Sequence, residues 1–480
     1  MSKYLEYFNG AFDDSIVEKI KLENRPYVAY SKEENRIVKT HIPNFFYIES
    51  IEDNNIVDLS AANAYLGIKA NQVEYSLDKY NWTSLTGVTT YTLGKNQKMY
   101  FRSLGNIASN SLDNKLPLLN PSKKFNIGGD ISTIIFGEEN TQTIKDGEYL
   151  TVLFHGTNVV DASRLLLPAT TLATDCYYCM FWDCKSLTTA PSVLPATTLA
   201  NRCYQYMFYG CTSLIIAPNL PATELAEGCY DCMFWDCTSL TTIPSILPAT
   251  ILAKECYKYM FLNCKSLTAT PKIYAKEAGE KSCWSMFYDC TSLKYAEDLN
   301  IVNFTGAYSC ETMFYNCTSL VKAPKLPATT LGYGCYSYMF QNCTSLTVTP
   351  ELPATTISGE CYRNMFAHCP SLTTAPSILP ATKMEDWCYM QMFWGCGSLK
   401  KAPVLPAATL AQECYLAMYH SCYNLKQAEV HATDMSASKC VYKMFYDIYT
   451  EGTLIKHPDA DWTNTNSSLP SKWTVVDAEI

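Results

Sequence analysis

Residues 176–200, CYYCMFWDCKSLTTAPSVLPATTLA, recur along the chain with small changes and decide the fold. The pattern returns as CYQYMFYGCTSLIIAPNLPATELA at residues 203–226 and as CYDCMFWDCTSLTTIPSILPATILA at residues 229–253. A fixed period of 26 or 27 residues predicts a solenoid, in which each unit buries its apolar face against its neighbours. The methionines that mark the eleven copies are Met180, Met207, Met233, Met260, Met286, Met313, Met339, Met365, Met392, Met418 and Met444.

Each repeat contains a segment of the form CYxxMFxxCxSL, with small or apolar residues at positions −4, 0, +4 and +7 relative to the repeat methionine. This spacing predicts one face of a helix of about three turns, packed against a core. The remainder, LTTAPSVLPATTLA in the first copy, predicts a short strand, a turn and a second extended piece, because it contains β-branched residues and two prolines. The predicted fold class is therefore an α/β repeat solenoid of about eleven rungs.

Cysteine usage is the most unusual feature of the composition, because all 23 cysteines lie between residues 176 and 440, inside the repeats. Ten stand at position +4 and eleven at −3 or −4, which leaves Cys179 and Cys232. These two create C-x-x-C pairs, the spacing of a redox pair or of half a zinc site. Their position varies freely between repeats, which favours free, buried structural thiols. A disulfide within one repeat is excluded if the helix is real, because its two cysteines would lie ~12 Å apart. Disulfides between neighbouring repeats are geometrically conceivable, but a ladder of them would need an oxidising compartment.

The net charge of −9 and the acidic composition favour neither a nucleic acid nor an anionic membrane surface as a partner. No apolar stretch reaches the roughly 18 residues that a membrane-spanning helix needs, so membrane insertion is not expected. The opening MSKYLEYFNGAFDDS lacks the apolar region of a secretory signal, which predicts a chain made and kept in the cytosol. A signal peptide removed beforehand would leave the same sequence, so export stays open.

The sequence offers no catalytic, metal or cofactor site. Its six histidines are scattered without H-x-x-x-H or H-E-x-x-H spacing, and no phosphate-binding loop or nucleophile elbow is present. We therefore predict that the protein is not an enzyme and needs no cofactor.

The positions that vary between repeats suggest a binding surface, because repeat proteins vary surface residues on a constant frame. At position +2, seven of the eleven residues are aromatic, and on a helix this position would point partly outward. Such rings suit a sugar or a protein partner, although they could equally stack on one another and only shield the solenoid. The seven candidate ligand-binding residues are Trp182, Tyr209, Trp235, Tyr288, Tyr315, Trp394 and Tyr446.

The motif MFxxCTSLTTAPxLPATTL resembles the BspA-type leucine-rich repeats of Bacteroidetes and of their phages. The resemblance covers residues 125–480, including GTLIKHPDADWTNTNSSLPSKWTVVD, which looks like the C-terminal cap of that family. Residues 73–103 read as alternating strands and resemble the small β-sandwich modules that precede such repeats. The resemblance implies adhesion or recognition rather than catalysis. The predicted divisions are residues 1–55, an attachment or oligomerisation segment; 56–120, a β-sandwich-like domain; 121–160, a lead-in and N-terminal cap; 161–448, the solenoid; and 449–480, the C-terminal cap.

The first 55 residues depart from secreted members of that family, which carry a signal peptide. The segment RPYVAYSKEENRIVKTHIP is similar to openings of structural proteins of Bacteroides phages, including crAss-like ones. This favours a virion appendage, such as a fibre, tail or head-decoration protein assembled in the host cytoplasm. Its expected partners are other virion proteins through the N-terminal segment, a host surface glycan or protein through the repeats, and further copies of itself. The alternative is a bacterial cell-surface adhesin whose signal peptide has been removed.

Overall fold

The computed structural model describes residues 28–31, 36–39, 42–59, 72–107, 117–148, 150–463 and 465–479. The attachment segment predicted at residues 1–55 therefore lies largely outside the described residues. Within the described ranges, no helix is long and apolar enough to cross a bilayer.

In the described residues before the repeats, the strands are antiparallel except for the parallel pair β10–β11, and there is one short helix. Two of these strands pair with each other, six form one sheet in the order β11-β10-β3-β8-β5-β6, and three form a second in the order β7-β4-β9. The six-stranded sheet takes strands from both sides of the predicted boundaries at residues 55 and 120. The elements are β1 Val28–Ser31, β2 Arg36–Lys39, β3 Phe46–Ser50, β4 Asn55–Asp58, β5 Val73–Ser76, β6 Thr83–Ser84, β7 Thr90–Leu93, β8 Lys98–Ser103, β9 Asn120–Pro121, β10 Phe125–Asp130, α1 Ser132–Ile135 and β11 Val159–Leu166.

The repeats form a solenoid of parallel coils, and every strand pair within it is parallel. Much of the ladder consists of single bridges between equivalent residues, such as Thr189 with Ile216 and Ile216 with Thr242. Asp161 of β11 pairs with Thr189, so the six-stranded sheet continues directly into the solenoid. The solenoid strands are β12 Ile246–Leu247, β13 Ile251–Leu252, β14 Lys272–Ile273, β15 Glu277–Ala278, β16 Asn303–Phe304, β17 Lys401–Leu405, β18 Gln427–Val430, β19 Gly452–Lys456 and β20 Trp473–Asp477.

The predicted helix in CYxxMFxxCxSL is wrong, and so is the α component of the predicted fold class. The segment is instead a run of overlapping turns. In the first repeat the amides of Met180, Trp182 and Cys184 each donate to the carbonyl three residues earlier, at 3.1–3.3 Å. The amides between them donate to the next coil, as Phe181 N does to Met207 O at 2.9 Å. Alternate amides therefore build the turn and the ladder between coils.

Left-handed backbone at every fourth residue explains why no helix forms. Asp175, Cys179 and Asp183 have φ of 58°, 56° and 55°, and the equivalent positions −5, −1 and +3 share this conformation in every later repeat. At +3, nine of the eleven residues are Asp, Asn or Gly, the residues that accept positive φ most readily. The apolar period is therefore four, and over three positions it resembles the helical period of 3.6. The argument against disulfides that assumed a helix no longer applies.

Stacked rings form the core of the solenoid. The residue at +1 in each coil packs on its equivalent in the next, with ring centroids 5.1–5.8 Å apart from Phe154 to Phe445. The cysteine at +4 donates its thiol hydrogen to the +1 carbonyl of the preceding coil, as Cys211 does to Phe181 O at 3.1 Å. All 23 cysteines are buried, and burial is the main cause of the raised pKa of thiols such as Cys184, at about 12. Such thiols are small core residues of low reactivity.

The stack extends beyond the repeats at both ends. Residues 150–157 form a further coil, since Phe154 N donates to Met180 O at 2.9 Å and Val152 has the left-handed φ of 52°. Thr157 occupies the position of the second cysteine, and its Oγ1 lies 3.7 Å from Cys184 Sγ. At the other end, Phe445 N donates to Ser467 O at 2.9 Å, which joins the last repeat to the segment that follows.

Candidate functional site

The candidate rings lie together along one side of the solenoid, which we call the aromatic face: positions −2, −1 and +2 of the coils. Trp182 and Tyr209 meet edge to face at 5.7 Å, and Tyr209 meets Trp235 at 5.2 Å. Tyr288 and Tyr315 are stacked at 4.6 Å. The face is therefore a series of ring groups, held in register by the hydrogen bonds between coils.

The remaining two candidates are joined through a histidine. Trp394 contacts His420 at 5.6 Å, and His420 contacts Tyr446 at 4.9 Å. Tyr446 is 45% exposed, whereas the other six candidate rings are half-buried. Burial lowers the pKa of His420 and favours its neutral ring. Each ring thus offers an edge or part of a face to solvent and uses the rest for packing.

Several rings of the aromatic face were missed by the sequence analysis. Tyr206 at −1 lies between Trp182 and Tyr209, with centroids 6.4 and 5.8 Å away. Tyr259 and Trp284 are 5.4 Å apart and continue the surface from Trp235 across the coil in which Leu262 interrupts position +2. Position −1 varies in residue type, and only its left-handed backbone turns it toward +2. The sequence signal that could have revealed these rings was the frequent Asp, Asn or Gly at position +3, four residues after −1, because these residues favour positive φ.

Charged and polar groups beside the first ring group are hydrogen-bonded to one another. Arg202 binds the buried Asp175 through two bonds of 2.8 Å. Gln205 Nε2 donates to Asp231 Oδ2 at 2.6 Å, and Cys232 Sγ donates to the other oxygen at 3.0 Å. Burial is the largest cause of the raised pKa of Asp231. These groups are satisfied within the protein, so they serve as a fixed polar border for the rings.

The aromatic ladder is interrupted in the coils of Met339 and Met365, where Gln341 and Ala367 occupy position +2. The half-buried Glu311 at −2 lies in the coil before this gap. Burial, with a contribution from the charge of Glu360, raises the pKa of Glu311 to about 7. The gap therefore places one polar and one small side chain where other coils carry rings.

The C-x-x-C pairs do not assemble a metal site among the residues that the structure describes, where no cluster of three or more His, Cys, Asp or Glu residues could hold an ion. Cys179 is buried, and burial raises its pKa to about 12. Cys232 donates to Asp231, and burial together with that carboxylate raises its pKa further. Both thiols are poor nucleophiles and metal ligands in this state.

The solved structures to which this chain is similar include two leucine-rich repeat proteins. One is from Bacteroides ovatus, with 14% sequence identity and a TM-score of 0.40 over 77% of this chain and 97% of that chain. The other is from Eubacterium ventriosum, with 11% identity and a TM-score of 0.22 over 72% of this chain and 94% of that chain. No protein family model and no curated protein matches the sequence.

Proposed function

We propose that the protein is a recognition protein without enzymatic activity, whose aromatic face binds a glycan or a protein on a cell surface. The observation that carries this proposal is the series of partly exposed rings in contact along consecutive coils. Aromatic rings offer a large apolar area at low entropic cost, and the ladder holds them before a partner arrives. The BspA-type assignment and the count of eleven rungs belong to the same proposal and rest on the sequence.

Replacing single rings tests the aromatic face. We expect Trp182→Ala and Trp235→Ala each to weaken binding on a glycan array by about 3- to 10-fold, because an aromatic contact contributes about 0.5–1.5 kcal/mol beyond its buried area. Ile215→Ala is the control, since it truncates an exposed apolar residue that lies outside positions −2, −1 and +2. If the unmodified protein, the two tryptophan variants and the control variant bind the array equally, and all have the same melting curve, the rings have only a structural role.

We also propose that the protein is a virion appendage, with the N-terminal segment attaching it to other virion proteins or to copies of itself. This part rests on the opening of the sequence and on the expected symmetry of fibres. The alternative, a bacterial surface adhesin, requires export of the chain and its attachment to a cell. The two differ in whether the chain is found in particles.

Mass spectrometry of purified phage particles, together with sedimentation of two forms of the chain, tests the appendage proposal. We expect peptides of this chain in particles, and an oligomer that becomes monomeric when the chain starts at residue 42. A start at residue 56 is unsuitable, because it deletes β3, whose Phe46 and Ile48 are fully buried in the six-stranded sheet. A chain that is monomeric in both forms and absent from particles would favour the adhesin.

A further inference from the structure

The gap in the aromatic ladder contains polar atoms without partners. In the described part of the chain, Ser337 Oγ, Gln341 Oε1, Arg363 Nε and Asn364 Oδ1 are buried and have no hydrogen-bond partner. The Ser337 and Asn364 residues are 0% and 4% exposed. An unsatisfied buried polar atom costs about 1–3 kcal/mol, so four of them in two successive coils call for an explanation.

The register of the coils brings these atoms to one place. Thr312 N donates to Ser337 O at 2.9 Å, and Tyr338 N donates to Arg363 O at 2.7 Å. Positions −2 and −1 of three successive coils therefore lie side by side. At position −1, Tyr206 contacts Tyr209 at position +2 of its own coil and Trp182 at +2 of the preceding coil, and Tyr259 contacts Trp235 at +2 of the preceding coil. The same geometry sets Asn364 beside Gln341 and Ala367.

The half-buried Glu311 completes what we call the polar cluster, namely Glu311, Ser337, Gln341, Arg363 and Asn364. No hydrogen bond or ion pair of the Glu311 carboxyl is found among the described residues. The charged groups around it are Lys281, Glu360 and Arg363. Arg363 lies over the ring of Tyr338, with its guanidinium carbon 5.5 Å from the ring centroid, and Nη1 is 3.4 Å from Glu360. The cluster thus combines acceptors, a cationic donor and an aromatic wall.

These groups define the chemistry of a ligand. An anion would suit Arg363 but would meet Glu311 and Glu360, and a cation would suit those carboxylates but would meet Arg363 and Lys281. A neutral ring bearing several hydroxyls satisfies both kinds of group, because each hydroxyl can donate and accept. It can also pack its apolar face on an adjacent ring such as Tyr338.

Given the proposed role of the aromatic face, we propose that the polar cluster is a subsite for one neutral pyranose residue of the bound glycan. Hydroxyl groups of the sugar donate to Glu311, Gln341 Oε1 and Asn364 Oδ1, and one accepts from Arg363 Nε. Ser337 and Asn364 form the floor of the subsite, and the half-buried side chains of Glu311, Gln341 and Arg363 form its rim.

Titration of the full-length protein with neutral methyl pyranosides of glucose, galactose, mannose and N-acetylglucosamine, followed by saturation-transfer NMR, tests the subsite. We expect at least one to bind, with affinity at least fivefold lower in Glu311→Gln and Asn364→Ala. Glu224→Gln and Asn219→Ala are the matched controls, because both residues are exposed and lie away from the gap and from the aromatic face. Ser337→Ala should also weaken binding while leaving the melting temperature unchanged or higher, because it removes an unpartnered atom.

The outcomes separate this inference from the proposed function. If Trp182→Ala weakens glycan-array binding but the cluster variants bind normally, the subsite is wrong and the aromatic face stands. If the cluster variants lose pyranoside binding while Trp182→Ala and Trp235→Ala keep full glycan-array binding, the subsite stands and the wider face does not. A crystal soaked with the pyranoside that shows ordered water only at the four atoms, or equal losses in the control variants, would overturn the subsite.

Discussion

Phe261→Ala is expected to destabilise the solenoid by about 3–5 kcal/mol, the usual cost of deleting a fully buried phenylalanine ring. Phe261 is 0% exposed and stacks on Phe234 and Phe287 at 5.4 and 5.5 Å. Its loss removes two ring contacts and leaves a cavity between coils that hydrogen bonds hold in place. In a solenoid each coil contacts only its neighbours, so the defect should also uncouple the coils on either side.

Guanidinium denaturation under reducing conditions measures this effect. We expect a lower midpoint and a transition that broadens or separates into two phases, because the halves of the solenoid unfold more independently. Leu262→Ala is the control, since this neighbouring residue is half-buried on the aromatic face and should cost well under half as much. Equal losses for the two variants would show that the ring stack is not the main source of stability.

The core was readable from the sequence because each repeat presents the same apolar residues to the same neighbours. Met180, Cys184 and Leu187 are all 0% exposed, as the pattern predicted. The backbone was misread because positions −4, 0 and +4 fit a period of four as well as one of 3.6. Residues such as Asp183 and Asn263 at +3 carried the distinguishing signal, since they favour the left-handed region at a fixed interval.

Other features could not be read from the sequence in the same way. The coil at residues 150–157 was missed because Leu153 and Thr157 replace the methionine and cysteine that marked the other repeats. The seven rings at +2 were found because they repeat at one position, whereas Tyr206 and Tyr259 contribute from a position of mixed residue type. The polar cluster depends on which buried atoms lack partners, and that depends on packing in three dimensions.

Replacing glycine by alanine should change the stability of this run of turns in the opposite direction to that expected for a helix. In a helix interior, Gly→Ala stabilises by about 1 kcal/mol. Gly210 stands at +3 with φ of 70°, where an added Cβ would clash with the carboxylate of Asp183. We therefore expect Gly210→Ala to destabilise the protein by about 1–3 kcal/mol, from backbone strain and displacement of that side chain.

Two further glycines separate strain from crowding in the same denaturation experiment. Gly156 has φ of 66° and nothing within 4 Å of an added Cβ, so Gly156→Ala should show the strain alone, about 1 kcal/mol. Gly105 has neither positive φ nor a nearby atom, so Gly105→Ala should be neutral or slightly stabilising. Because Gly156 lies in the coil that precedes the recognised repeats, a loss there also tests whether that coil shares the left-handed turn. A gain in stability from Gly210→Ala would instead indicate that this segment is helical.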